Sequence, residues 1–170
     1  VVAGGHMQDR DLYPDPSPPT AAIQSVFIIA ALAAKEGRHV RVIDITGAYL
    51  NANMTDEVIM WLNAELTVLL VGIYPTYKRF VTADGRLAVR LLKALYGCIQ
   101  SSKLWYDLLK STLLTYGLVQ NPKDQCVFNL GSGPKQLTVT IWVDDLLCTC
   151  ANDMILDAFQ ACSSSTHKVP

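Results

Sequence analysis

The sequence is poor in charge and has no surplus of basic residues. Charged residues fill 17% of the 170 positions and hydrophobic ones 51%, which excludes a disordered or solvating chain. Lys and Arg number 14 against 15 Asp and Glu. A basic tail or a general nucleic-acid coat would carry a clear positive excess, so any contact with nucleic acid must come from a local patch. The cysteines Cys98, Cys126, Cys148, Cys150 and Cys162 include no C-x-x-C pair. That excludes a disulfide framework or a zinc site and points to thiols in a reducing compartment. No apolar run can span a bilayer: the longest, residues 21–34, is broken by Gln24 and Ser25. It follows a proline-rich segment and does not read as a signal peptide, so the chain is expected to be soluble and intracellular. There is no internal repeat or low-complexity tract. The length suits one domain with a real core. A start at Val1 and a stop at Lys168-Val169-Pro170 suggest a single domain over residues 1–170, cut at both ends from something longer.

The element pattern is α+β. After a loop containing Pro14, Pro16, Pro18 and Pro19, Thr20 stands where a helix N-cap belongs. Ala21 to Glu36 follows as a helix stopped by Gly37, apolar nearly all round and therefore expected to be deeply buried. His39 to Ile45 alternates as a strand. Met54 to Phe80 mixes a short strand near Val58 to Trp61 with a helical turn, Asp84-Gly85 reads as a hairpin-type turn, and Leu87 to Leu92 as a return strand. Ser101 or Ser102 can cap a helix that ends at Gly117 and turns Leu104, Trp105, Leu108 and Leu109 inward. Cys126 to Leu130 and Gln136 to Val143 are strands, Leu146 to Cys150 returns as another, and Asp153 to Cys162 is helical. Helices and strands in this order do not form a doubly wound series.

The sharpest feature is Ile141-Trp142-Val143-Asp144-Asp145-Leu146-Leu147. Two adjacent carboxylates between apolar strands repel each other, and burial adds to the cost. A divalent cation relieves both, since Mg²⁺ takes hard oxygen ligands. If the flanking strands form a hairpin, the pair lies at its tip, open to a cleft. As an isolated tetrapeptide, a polar tight turn is the commoner use of Asp. Asp44 interrupts a second apolar strand, Val42 to Ile45. A lone acid there is more often a cap or turn partner than a ligand. Side by side, however, the two strands would set Asp44 against Asp144 and Asp145 from about 100 residues away. Three carboxylates on one sheet edge suit two-metal phosphoryl transfer. His6, His39 and His167 lie outside the acidic blocks, so a metal-dependent nuclease with a histidine base ranks below that reading.

Several blocks carry a resemblance. They are Val2-Ala3-Gly4-Gly5-His6, Asp44-Ile45-Thr46-Gly47-Ala48-Tyr49-Leu50-Asn51, Lys93-Ala94-Leu95-Tyr96-Gly97, Leu104-Trp105-Tyr106 and Val143-Asp144-Asp145-Leu146-Leu147. In order and spacing, over nearly the whole chain, they resemble the reverse transcriptase domain of copia-type LTR retrotransposons. The resemblance implies a fingers-palm fragment whose palm is a ferredoxin-like, split βαβ sheet backed by helices. It implies an RNA-directed DNA polymerase joining a dNTP to a primer 3′-hydroxyl and releasing pyrophosphate. By the same likeness, Asp44 and Asp144 would bind two Mg²⁺ ions, with Mn²⁺ a possible substitute. Asp145 would support them and the Ile45 carbonyl would complete a coordination shell. Tyr49 falls at the family's aromatic steric gate, where a ring under the sugar clashes with a 2′-hydroxyl; without the motif it would read as a half-buried tyrosine. Gly97 would let template and incoming base approach the backbone, Gln100 belongs to the same nucleotide-binding block, and Lys103 would contact template phosphate. Leu104, Trp105 and Tyr106 read as helix-packing residues. Implied partners are an RNA or DNA template with its primer, dNTPs, and RNase H and integrase segments of the same polyprotein. No membrane is implied, and an active element would work in the cytoplasm within a virus-like particle.

There are departures. The family reads Leu-Tyr-Gly-Leu-Lys-Gln-Ala-Pro-Arg-Ala-Trp-Tyr where this chain has Cys98, Ile99, Ser101, Ser102, Lys103 and Leu104 at the intervening positions. Losing the lysine at Ile99 and the proline at Ser102 weakens the template side and the helix start, and Lys103 for arginine loses the bidentate fork. Trp142 stands where tyrosine is commonest. Leu66 to Val71 matches an insert of a related branch. The family's basic block before Val-Ala-x-Gly would precede Val1, and thumb and primer-grip segments would follow the last helix. The alternative is therefore a catalytically inactive remnant or a non-catalytic nucleic-acid-binding module, whose phosphate affinity would be weak and steeply salt-dependent.

Overall fold

The computed structural model describes residues 3–13 and 17–166; Val2, Pro14, Pro16 and His167 lie outside them. Helix α1 (Ile23–Glu36) leads into strand β1 (His39–Asp44) and a single turn of helix, α2 (Ala48–Asn51). A side unit follows: β2 (Ile59–Leu62), α3 (Ala64–Ile73), a 3-10 stretch Pro75–Phe80 and β3 (Leu87–Arg90). The long helix α4 (Ser101–Tyr116) precedes β4 (Val119–Gln120), β5 (Val127–Leu130), β6 (Leu137–Trp142), β7 (Asp145–Cys150) and α5 (Asp153–Thr166). Five strands make one antiparallel sheet in the order β1-β7-β6-β5-β4, while β2 and β3 pair separately. This mixture of helices and antiparallel sheets is the expected α+β class.

The core lies between one sheet face and the helices α4 and α5. Ile43, Leu146, Cys148, Cys150, Leu137, Val139, Ile141 and Phe128 meet Trp105, Tyr106, Leu109 and Leu113 of α4 and Leu156 and Phe159 of α5. The inward strand residues alternate at period two and the helical ones recur at three to four, as each geometry requires. Full burial of side chains of this size contributes about 1.5–3 kcal/mol each. No disulfide joins the cysteines: Cys98, Cys126, Cys148 and Cys150 are buried as small hydrophobes and Cys162 is half-buried. Arg41 fastens β1 to α5 through Asp153 and Asp157, each at 2.6 Å. Among the described residues no helix is long and apolar enough to cross a membrane.

Several local expectations are corrected. Thr20 does not cap α1: the helix starts at Ile23, and the N–H of its N-cap Ala22 donates to Asp124 Oδ2 at 3.0 Å, a partner far along the chain. Gly37 does end it, in the left-handed conformation with φ 62°. Nor is α1 deeply buried. Ile29 and Ala33 are buried and Val26 partly so, whereas Phe27 is 67% and Ile28 59% exposed. The helix meets the sheet through the one stripe that residues 26, 29 and 33 form, so its other apolar side faces outward. Neither serine caps α4. Gln100 is the N-cap, and the Ser101 hydroxyl instead accepts the Leu95 N–H at 3.0 Å. Asp84-Gly85 is a tight turn, closed by Gly85 N–H to Thr82 O at 2.9 Å. It does not join two paired strands, because α3 and the 3-10 stretch intervene between β2 and β3.

Candidate active site

The ladder between β1 and β7 brings the acidic strands together. Its register runs from His39 opposite Cys150 to Asp44 opposite Asp145. β6 and β7 form the expected hairpin, with Trp142 opposite Asp145 and only Val143-Asp144 in the turn. Val143 has φ 54°, a conformation a β-branched residue adopts at a cost. Both turn carbonyls are fastened: the Trp105 indole N–H donates to Val143 O at 2.8 Å, and the Ile45 N–H donates to Asp144 O at 3.0 Å. Trp105 is thus a packing residue, as expected, and also the anchor of the turn.

The Asp144 side chain is handled asymmetrically. Its Oδ2 accepts the Tyr96 hydroxyl at 2.6 Å, a length typical of a charge-assisted O–H···O⁻ bond. Its Oδ1 is buried with no hydrogen-bond partner among the described residues. The Tyr96 ring lies on that of Tyr49, with centroids 4.1 Å apart and planes 14° from parallel. Burial, and then the Asp144 carboxylate, push the Tyr96 hydroxyl well above the usual phenol range. The same two causes raise Tyr49. Tyr49 is carried by α2, which Gly47 opens in the left-handed conformation with φ 63°.

Tyr96 is held by its own loop. Its carbonyl accepts the Ala3 N–H at 2.7 Å, and a Cβ on Gly5 would overlap the Gly97 carbonyl oxygen. This explains Ala3-Gly4-Gly5: the first described residues pack backbone to backbone on the Tyr96-Gly97 loop, where Gly97 has φ 99°.

The remaining expected site residues lie apart from this cluster in their interactions. The buried Gln100 accepts from Gln8 at 3.1 Å and donates to the Tyr13 hydroxyl at 3.1 Å and Met54 Sδ at 3.3 Å. Lys103 binds both carboxylate oxygens of Asp107, at 2.7 and 2.8 Å. Tyr96 is the residue that motif reading left without a role; its place within Lys93 to Gly97 was the only available signal.

Among the described residues no three His, Cys, Asp or Glu side chains gather as a metal cluster. Asp44 and Asp145 face each other across the ladder, while Asp144 sits in the turn beside them. The donors present are hard oxygens, and a buried carboxylate oxygen without a partner is costly to leave so. The unpartnered Asp144 Oδ1 is an oxygen of the kind a divalent cation takes.

Comparison with known proteins identifies the family. A family model described as reverse transcriptase (RNA-dependent DNA polymerase) matches residues 1–169. The chain is 31% identical over 157 residues to the retrovirus-related Pol polyprotein from transposon RE2 of Arabidopsis thaliana, and 30% identical to that from transposon RE1, covering 92% of this chain and 10% of each relative. It is 28% identical over 149 residues to the transposon Ty1-ER2 Gag-Pol polyprotein of Saccharomyces cerevisiae, covering 86% of this chain and 7% of that protein. The chain thus spans about a tenth or less of the length of these relatives. No solved structure matches it. The chain belongs to the reverse transcriptase (RNA-dependent DNA polymerase) family, and its likeness to the RE1 and RE2 polyproteins places it on the copia-type side.

Proposed function

We propose that the chain is the fingers-palm domain of a retrotransposon reverse transcriptase, joining a deoxynucleotide to a primer 3′-hydroxyl on an RNA or DNA template. The observation that carries this is the end of the β1–β7 ladder: Asp44 opposite Asp145, with Asp144 beside them presenting a buried, unpartnered oxygen. Asp44 and Asp144 are the residues to hold two Mg²⁺ ions, or Mn²⁺, with the Ile45 carbonyl and Asp145 in support. Bound there, the ions would activate the attacking oxygen and stabilise the leaving pyrophosphate.

The chain's own residues supply position. The pinned turn keeps Asp144 at the strand end. The Tyr49 ring, backed by Tyr96, is a flat wall against a 2′-hydroxyl. Gly97, exposed and without a side chain, leaves its backbone open to template and incoming base. Gln100 braces the loop behind it, and Lys103, near the α4 start, can exchange Asp107 for a template phosphate. In sequence, β1, α4, β6, β7 and α5 follow the strand, helix, hairpin and helix order of a split βαβ palm with β1 beside β7. The β2–β3 unit with α3 would then be the fingers. Because the relatives are Pol and Gag-Pol polyproteins, RNase H and integrase segments of one polyprotein are proposed partners, and a cytoplasmic virus-like particle the place of action.

The test is primer extension on an RNA template with dNTPs and Mg²⁺. Asp144→Asn is expected to abolish extension while leaving the thermal midpoint near that of the unaltered chain; unchanged extension would overturn the assignment. A second reading is a non-catalytic nucleic-acid-binding module, since among the described residues no three His, Cys, Asp or Glu side chains gather as a metal cluster. Retention of a labelled primer–template without extension by the unaltered chain would establish that reading.

A further inference from the structure

We propose that Tyr96 is a positioning residue that sets the Asp144 carboxylate and the Tyr49 ring as one unit; this rests on reading the site as a polymerase centre. A carboxylate offers two oxygens on one rotatable group, so fixing one decides where the other points. The Tyr96 hydroxyl takes Oδ2 at 2.6 Å, and the oxygen left over is the buried, unpartnered Oδ1. Without that bond the carboxylate could turn either oxygen toward Tyr96 or toward solvent. With it, Oδ1 is presented in one direction before any cation arrives, which reduces the reorganisation that binding requires.

The same side chain has a second task. Its ring lies parallel to Tyr49 at 4.1 Å, so the aromatic wall facing the sugar rests on the group that orients the carboxylate. Tyr96 can carry both because its own backbone is secured: Ala3 donates to its carbonyl at 2.7 Å, and the preceding Leu95 N–H is taken by Ser101 at 3.0 Å. A tyrosine used only for packing would be replaceable by phenylalanine. Here the hydroxyl serves the cation and the ring serves the sugar, so the two functions separate by substitution.

The experiment measures Mn²⁺ binding to the full chain by electron paramagnetic resonance, together with incorporation of ribo- against deoxynucleotides. Asp144→Asn identifies the binding that depends on this site. Tyr96→Phe keeps the ring and is expected to weaken that binding by about tenfold or more while sugar selection persists. Tyr96→Ala is expected to weaken binding and also to relax sugar selection; if it fails to fold, Tyr96→Phe carries the test alone. Equal Mn²⁺ affinity in Tyr96→Phe and the unaltered chain overturns the inference while leaving the polymerase reading intact. Weakened binding with no extension by any variant, the unaltered chain included, sustains the hold of Tyr96 on the Asp144 carboxylate but removes the polymerase reading, and the sugar-facing half of the inference with it. An unaltered chain without Asp144-dependent Mn²⁺ binding overturns both.

Discussion

Trp105 donates its indole N–H to the carbonyl of Val143 at 2.8 Å, and Val143, with φ 54°, is the one non-glycine residue at positive φ among the described residues. A helix in the core thus restrains a strained turn at the sheet edge. Trp105→Phe is expected to lower unfolding free energy by about 1–2 kcal/mol, from the lost hydrogen bond and the smaller ring. Val143→Gly should change stability by less than about 1 kcal/mol, because relief of strain offsets the added chain entropy. Urea titration of both variants checks this; a Val143→Gly loss as large as that of Trp105→Phe would count against strain in the turn.

Tyr49→Ala is expected to admit ribonucleotides at the primer end, because it removes the ring that Tyr96 backs. Competition between a dNTP and the matching ribonucleotide measures it. Unaltered discrimination would reject Tyr49 as the sugar gate.

Burial pushes the Cys148 thiol up to about 12 and the Cys126 thiol up to about 11. An unfolded chain ionises these thiols near 8.5. Between there and the folded values, the unfolded state has lost protons that the folded state keeps, so stability is complete below about pH 8.5 and falls as pH rises. Chemical denaturation from pH 8 to 11 should show this decline, and Cys148→Ala should make it shallower while lowering the starting stability. The buried thiols should also resist iodoacetamide in the folded chain, leaving Cys162 to react first.

Arg41 reaches Asp153 and Asp157 at 2.6 Å from an edge strand. Arg41→Ala is expected to lower the thermal midpoint by an amount that shrinks in 1 M salt, because the pairs are partly exposed and screened. Arg41→Lys should recover little of the loss, since one ammonium cannot fork to two carboxylates as a guanidinium does. A salt-independent loss would assign the effect to the aliphatic stem instead.

The strands and the place of the acids in them were legible because each acid interrupts an apolar run: Asp44 between Ile43 and Ile45, and Asp144-Asp145 between Val143 and Leu146. Period two leaves few choices of pairing once a hairpin is assumed. What could not be read depended on partners far along the chain. Thr20 offered a local cap, but Ala22 found Asp124; Ser101 offered another, but Leu95 claimed it. The composition of α1 gave its hydrophobicity, not how much of its circumference would be covered. Tyr96 lay inside a recognised block, yet its role rests on a carboxylate 48 residues away and on the ring of Tyr49, neither of which its neighbours reveal.

The β1–β7 ladder also bears on synthesis. Asp44 must wait for a partner strand about 100 residues later in the chain. At about 5–20 residues per second, the first acidic strand leaves the ribosome roughly 5–20 s before the second exists. During that interval Val40 and Val42, both more than half exposed even in the finished fold, lie on an unpaired edge that any other nascent strand could join. Closure of such a distant contact is slow by topology alone. The centre is therefore among the last parts of this chain to exist, and the period before it forms is when a helper that shields β1 would matter most.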